Sequence, residues 1–277
     1  MKIAVLSDIH GNVPALNAVL NDIFRWQPDQ IIVNGDVVNR GPYSKKVLEI
    51  LAVEIPNATL LSGNHESFVI YCAENIYASD HEKYDFQCFA QWSAQQIGSA
   101  WIDKIKQWGD HVDLIDLEGG SSFHVTHGSR IGNRDGISAK TKDEELPEKL
   151  GESRDLFVAS HTHKAMVRYF NGNIIVNTGS VGQPLDNDAR ASYGQFTFKQ
   201  GKWLVNIARV EYDKVQAEKD FHESGFLEAG GPLAQLMYLE HQNNTMYVGP
   251  FMRKYLDHIR EKKITLKDAV DVFLSKT

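Results

Sequence analysis

Cysteine is nearly missing from this 277-residue chain, which has only Cys72 and Cys88. Two thiols make neither a disulfide framework nor a CxxC metal knuckle, so a disulfide-stapled scaffold is excluded. Both fall in segments that read as helices, and both are expected to be buried thiols of a cytosolic protein. Long apolar runs are lacking as well. The opening MKIAVLSDIHGN carries one lysine and a short apolar run interrupted by Ser7 and Asp8. That is too little for a signal-peptide core or a membrane span, so a cytoplasmic location is expected. No cluster of Lys and Arg appears and the net charge is -7, which argues against a nucleic-acid duplex as partner. An acidic protein can still bind phosphate where fixed cations gather. Internal repeats and low-complexity linkers are absent from the sequence too.

What remains is an ordinary globular composition, 42% hydrophobic and 23% charged, long enough to bury a large core without staples. KIAVLS reads as a buried strand. The segment NVPALNAVLNDIF follows, with Ala15, Leu16, Val19, Leu20, Ile23 and Phe24 at helical spacing and Asn12 and Pro14 as start signals. QIIVN and ATLLS are further strands, with the helix SKKVLEILAVE between them. This alternation predicts parallel strands with crossover helices. Residues 66–108 read mostly as helix. Six strands follow: SSFHVTHG, DLFVASH, AMVRYF, IIVNTGS, YGQFTFK and KWLVNIARVEY, with hairpin turns at NGN and KQGK. The expected fold is α/β, a two-sheet mixed β-sandwich flanked by helices. Residues 1–212 would form the catalytic domain, and 213–277 a C-terminal helical extension packed on it. In that extension EAGGP at 228–232 is the one hinge-like stretch. Its helices offer a face for a homo-oligomer or a cap over a site, beside the plainer reading of helices packed on the body.

Five predicted strands end in polar residues that bind metals well. These are Asp8 and His10, Asp36, Asn64 and His65, His127, and His161 with His163. In open α/β sheets, ligands sit beyond the carboxyl ends of the strands, so these groups are expected to converge on one edge. Asp8/His10 and His161/His163 are i, i+2 pairs, which an extended segment turns to one side. Any one piece alone is more often a turn, a cap or a surface pair. Five together are hard to attribute to structural habit. The donors are oxygen and imidazole without thiolate, which suits Mn, Fe, Zn or Ni better than Ca or Mg. Seven ligands exceed one tetrahedral ion and suit two ions sharing a carboxylate, for which Asp36 is the natural bridge.

The motifs DIHG, GDVVNRGP, GNHE, THG and SHTH resemble those of the calcineurin-like metallophosphoesterase superfamily, from Met1 to about Tyr212. The tract NTGSVGQPLDNDARASYGQF is similar to the small bacterial phosphodiesterase branch. GDVVNRGPYS with GNHE looks like the symmetrical diadenosine-tetraphosphatases and the Ser/Thr phosphoprotein phosphatases. The resemblance implies a dinuclear centre at the sheet edge. One metal would take Asp8, His10, Asp36 and His163, and the other Asp36, Asn64, His127 and His161. Two positions depart from the pattern. Ser160 stands where the family usually has Gly before HTH. Asn39 stands where the phosphatases carry Asp, and can hold His65 by a hydrogen bond without stabilising its imidazolium.

The implied chemistry is hydrolysis of a phosphate ester or anhydride by a hydroxide held between two divalent ions, manganese favoured. Arg40 would clamp phosphate oxygens with its planar fork. His65 would serve the leaving oxygen, and Asn39 would sit beside both at the substrate. Gly35 and Gly41 would let the backbone approach closely. Gly179 and Ser180 shape a loop by the metals or a purely structural one. His124 reads as a sheet-face residue, and Arg130 and Arg134 as a solvated loop that could reach a polyphosphate. The expected substrate is a phosphorylated small molecule, a nucleotide or dinucleoside polyphosphate. The alternatives are a protein phosphatase, or a binding scaffold that keeps the fold after losing catalysis; a retired site should have lost ligands, and all seven are present.

Overall fold

Alternate residues of the first strand point to opposite faces, and that alternation sets the layers. In β1 (Lys2–Leu6), Ile3 and Val5 join one core, while Ala4 and Leu6 join another. The computed structural model describes residues 1–78, 84–117, 121–152 and 155–276. β1 pairs in parallel with β2 (Gln30–Asn34), and β2 with β3 (Thr59–Leu61). The crossovers are α1 (Val13–Trp26) and α2 (Ser44–Glu54), whose Leu16, Val19, Val47 and Leu51 pack on the outer face. Asn12 caps α1 by accepting from the Ala15 amide at 3.0 Å, and Pro14 sits in its first turn. After β3 come α3 (Asn64–Glu74), α4 (Tyr84–Ile97) and α5 (Ser99–Ile105).

The second sheet is built from β4 (His111–Leu117), β5 (Ser121–Thr126), β6 (Leu156–Ala159), β7 (Met166–Phe170) and β8 (Asn173–Asn177), in the order β4-β5-β6-β8-β7. The short helix α6 (Leu146–Leu150) covers its outer face. The chain then returns to the first sheet as β9 (Ala191–Lys199) and β10 (Lys202–Val210), completing β10-β9-β1-β2-β3. Phe123 from the second sheet stacks on Trp203 from the first at 5.0 Å between ring centroids, and the Trp203 indole donates to Ser121 Oγ at 3.1 Å. The two hairpin turns fall as expected, with positive φ at Asn171 and Gly172 and at Gln200 and Gly201.

Strand β4 is the one not foreseen. It is an edge strand, its pairing with β5 shifts between Leu114 and Leu117, and Ile115 is exposed, so the alternation that marks a half-buried strand is broken. The C-terminal segment folds as α7 (Lys214–Glu223), α8 (Phe226–Ala229), α9 (Pro232–Asn243), α10 (Val248–Arg260) and α11 (Leu266–Leu274). These helices share a core with α4, in which Phe89 and Trp92 meet Phe226, Leu233, Met237 and Phe251. The hinge-like EAGGP is clamped there: a Cβ on Gly231 would stand 2.9 Å from Cys88 Sγ. Both cysteines are buried and free, as expected. Among the described residues, no helix is long and apolar enough to cross a membrane.

Candidate metal centre

Parallel registry brings the strand ends level: Leu6 lies beside Val33, and Asn34 beside Leu61. The residues that follow β1, β2, β3, β5 and β6 are the predicted polar ones, and they meet at one edge of the sandwich. The two sheets are stitched there by Asn34, whose amide donates to the Thr126 carbonyl at 2.8 Å and to Ser160 Oγ at 2.9 Å. The i, i+2 pairs do converge, but through turns and not through an extended segment. Asp8, His10, Asp36, Asn39, Arg40, His161 and His163 all have φ between 48° and 69°. Non-glycine residues are rarely held there, and such conformations cluster at functional sites. The turns lock on each other: the Asp8 amide donates to the Gly35 carbonyl and the His10 amide to the Asp36 carbonyl. Gly41 is forced by this contact, since a Cβ there would stand 1.9 Å from the His10 carbonyl oxygen.

A residue the sequence analysis passed over holds the Asp36 turn. Glu66 is fully buried and accepts four backbone amides: Asp36 and Gly63 on Oε2 at 2.7 and 2.8 Å, Val37 and Val38 on Oε1 at 2.7 and 3.2 Å. Burial, then the nearby Asp36 charge, pushes its carboxyl up to about 7. A proton on either oxygen would nonetheless face an N–H, so the four donors favour the carboxylate. Its signal was the Glu three residues past Gly63, the spacing of a capping box.

Two groups of ligand atoms form around Asp36. Asp8, His10, Asp36 and His163 make one, and Asp36, His127 and His161 the other, with the atoms of each within 4.8 Å of one another. Asn64 joins the second group, its Oδ1 3.2 Å from His127 Nε2. Asp36 uses Oδ1 to accept the His65 amide and turns Oδ2 to both groups, 3.7 Å from His10 Nε2 and 3.3 Å from His127 Nε2.

The tautomers follow from the other ring nitrogens. His10 Nδ1 faces the carbonyls of Val38 and Asn39, His127 Nδ1 that of Asn34, and His163 Nδ1 that of Gln183. Carbonyls only accept, so each Nδ1 carries the hydrogen and each neutral ring presents a bare Nε2 lone pair. His10 Nε2 and His163 Nε2 then confront each other at 3.2 Å, with Asp8 Oδ1 3.1 Å from the latter. Asp8 Oδ1 and His161 Nδ1 are buried without a hydrogen-bond partner. Acceptors packed this way repel unless a positive charge lies among them. Burial drives His10 well below the usual imidazole range. Burial also opposes charge on His127, but the Asp36 carboxylate outweighs it and holds that ring up to about 10. A proton settles that one contact; a cation in each group would settle all of them. The donor set therefore fits two divalent ions.

His65 stands beside this centre, its ring centroid 5.0 Å from that of His10. Asn39 Nδ2 lies 2.9 Å from His65 Nδ1, and Asn39 Oδ1 accepts the Arg40 amide at 2.9 Å and Ser93 Oγ of α4 at 3.3 Å. The Arg40 N–H fixes the amide, since turning it over would set two donors together. Nδ1 of His65 therefore accepts, and its Nε2 carries the hydrogen. Burial pushes this ring down to about 3, so it is neutral. Arg40 is largely buried, its Nε donating to Gln183 Oε1 at 2.8 Å and its Nη2 to Glu240.

Ser160 makes positive use of its side chain: Oγ accepts from Asn34 and lies 3.0 Å from Thr178 Oγ1, while the positive φ angles fall on His161 and His163. Ser180 Oγ donates to the Asp8 carbonyl at 2.7 Å, placing the Gly179–Ser180 loop against the centre. His124 is buried on its sheet and bonds Asp113 at 2.8 Å. Arg130 also pairs with Asp113, at 3.0 Å, and Arg134 is exposed.

Residues 1–175 match the family model of the calcineurin-like phosphoesterases. An uncharacterised protein of Methanocaldococcus jannaschii is 30% identical over 241 residues, 76% of this chain and 88% of that protein. Two solved structures share the fold. A metallophosphoesterase from Sphaerobacter thermophilus has a TM-score of 0.68 at 24% identity, covering 88% of this chain and 100% of that one. A hypothetical protein from Pyrococcus horikoshii OT3 has a TM-score of 0.70 at 17% identity, covering 89% and 99%.

Proposed function

The chain belongs to the calcineurin-like phosphoesterase family, and on that premise we propose that it hydrolyses a phosphate ester or anhydride at a dinuclear metal centre. Asp8, His10, Asp36 and His163 would hold one divalent ion, and Asp36, Asn64, His127 and His161 the other. The observation that carries the reading is Asp36 Oδ2, one oxygen turned to two groups of converging, mostly buried ligand atoms. Bound ions would supply an activated water and neutralise charge on the phosphate; mixed oxygen and imidazole donors suit Mn, Fe, Zn or Ni, and of these we favour manganese.

The remaining work falls to the chain. Nδ1-held imidazoles keep their lone pairs aimed at the ions. His65, kept neutral with hydrogen on Nε2, donates to the leaving oxygen. Arg40 offers the donors left free by Gln183 and Glu240 to a phosphoryl oxygen. A neutral His65 is a weak acid, so the site suits leaving groups that need little protonation. Phosphoanhydrides meet that condition, which supports a nucleotide or dinucleoside polyphosphate as substrate. We place the enzyme in the cytoplasm, with residues 213–277 as an extension that walls the site.

The test is turnover of an aryl phosphate with Mn²⁺, abolished by chelation and by Asp36→Ala in protein shown to be folded. Retained activity in that variant rejects the reading. A panel of nucleotides, dinucleoside polyphosphates, cyclic nucleotides and phosphopeptides then sorts the substrate class, and a preference for phosphopeptides would replace the nucleotide assignment.

A further inference from the structure

The C-terminal helices carry no metal ligand, yet one of them reaches the centre. Glu240 of α9 is fully buried. Its Oε1 accepts the amides of Tyr247 and Val248 at 2.7 and 2.8 Å, where α10 begins. Its Oε2 pairs with Arg40 Nη2. Gln183 completes the link. Its carbonyl accepts from the metal-site His163, its Oε1 from Arg40 Nε, and its Nε2 donates to the Met237 carbonyl of α9 at 3.1 Å and toward Glu240 at 3.4 Å. One buried cluster thus joins a metal-site imidazole, the guanidinium and the α9–α10 corner.

We propose that Glu240 is a positioning residue: α9 uses it, with Gln183, to hold Arg40 in the orientation that binds phosphate, so the extension is part of the substrate site. This rests on the reading of Arg40 as a phosphate ligand. An arginine side chain has several rotatable bonds and loses rotamer freedom when fixed. Here that cost is met in the folded protein by two partners that occupy Nε and one Nη2 hydrogen. Nη1 and the second Nη2 hydrogen remain for a phosphoryl oxygen.

Glu240→Gln separates positioning from packing. The amide oxygen can keep both backbone donors of α10, which leaves the amide nitrogen facing Arg40 Nη2, donor against donor. The helix corner stays capped while the contact to Arg40 is lost. Inorganic phosphate is titrated calorimetrically into Mn²⁺-loaded wild type, Glu240→Gln, Arg40→Ala and the double variant, with metal content measured in each. Glu240→Gln is expected to weaken phosphate about tenfold, or about 1.4 kcal/mol, with metal content unchanged, and to add nothing in the Arg40→Ala background. Gln183→Ala is expected to weaken phosphate in the same Arg40-dependent way. Wild-type or tighter phosphate binding in Glu240→Gln overturns the proposal. So does an effect of equal size without Arg40, because Glu240 would then act on phosphate directly. If the wild type binds phosphate with this coupling but turns over no ester, the positioning role stands and the enzymatic reading falls. If the wild type does not bind phosphate, both fall.

Discussion

Glu66→Gln is the sharpest test of how the Asp36 carboxylate is held. The wild-type side chain accepts two amides on each oxygen, all of them buried. Glutamine has one oxygen and one NH₂ in the same space. Whichever way the amide is placed, two backbone N–H groups lose their acceptor and face a donor. A buried unsatisfied donor costs about 1–3 kcal/mol, so two cost about 2–6 kcal/mol. A neutral amide is easier to bury than a carboxylate, which moves the expected loss to the lower half of that range. For a chain of this size each kcal/mol lowers the unfolding temperature by roughly 2–4 °C. The loss is also local, because the freed amides are either those of Asp36 and Gly63 or those of Val37 and Val38, and both pairs hold the turn that aims Asp36. Metal content should therefore fall with stability, the ion of the Asn64, His127 and His161 group first, since Gly63 and Asn64 share the same anchor. Thermal unfolding of Mn²⁺-loaded protein and elemental analysis of the folded variant measure the two effects. A Glu66→Gln protein with wild-type unfolding temperature and full metal content would refute the argument.

Three further outcomes are expected. In Asn39→Asp, a carboxylate would take the hydrogen of His65 Nδ1 and favour the imidazolium, raising a ring that burial now holds at about 3. The gain in kcat/KM for alkyl over aryl phosphates should be about tenfold or more below the raised pKa and disappear as pH rises through it; an unchanged ratio rejects the role of Asn39. Mn²⁺ binding near pH 7 should release about one proton, because His127, held up to about 10 by Asp36, must give up its Nε2 hydrogen to act as a ligand. Calorimetry in buffers of different ionisation enthalpy reads that number. The same shift has a stability counterpart in chelated protein: its contribution is complete below the unfolded value of 6.5 and is lost as pH rises through about 10. Ser160→Gly should cost about 0.5–1.5 kcal/mol of stability through the lost Asn34 contact, with kcat/KM near wild type; a large loss of activity would place Ser160 in the chemistry.

The candidate ligands were legible because their residue types contradict their position. A carboxylate or imidazole straight after an apolar strand has no packing reason to be there, and β1, β2, β3, β5 and β6 each end that way. The two sheets followed from the alternation of apolar runs and turn signals, which β4 lacks at its irregular edge. Asn34, Glu66, Gln183 and Glu240 were not legible as site residues. Each acts through contacts made far away in sequence, such as Asn34 to Ser160, 126 residues apart, and Arg40 to Glu240, 200 apart. A buried Glu in a helix reads from sequence as an exposed one until the fold supplies its partners. Asp8 with His10 and His161 with His163 converge through left-handed turns and not through extended backbone, since such turns also bring alternate side chains together and local spacing does not tell the two apart.

Those turns show what the supporting residues are for. Asp8, His10, Asp36, Asn39, Arg40, His161 and His163 are non-glycine residues held at positive φ, which the Asp and Asn side chains tolerate better than His and Arg. At about 1–3 kcal/mol each, the four His and Arg residues alone would cost roughly 4–12 kcal/mol, on the scale of the whole net stability of a typical domain. Such turns persist only where other contacts over-determine them. Glu66 fixes the Asp36 turn with four amides, Ser180 and the Gly182 amide fix the Asp8 carbonyl, and Gln183 with Glu240 fixes Arg40. The candidate ligands thus sit on strained turns set from behind, by acceptors in Glu66, Gln183 and Glu240 and by donors in Ser180 and Gly182. The two-sheet core gains nothing from that arrangement, whereas a metal centre would gain side chains already converged before any ion arrives, with the His127 proton left to be displaced on binding.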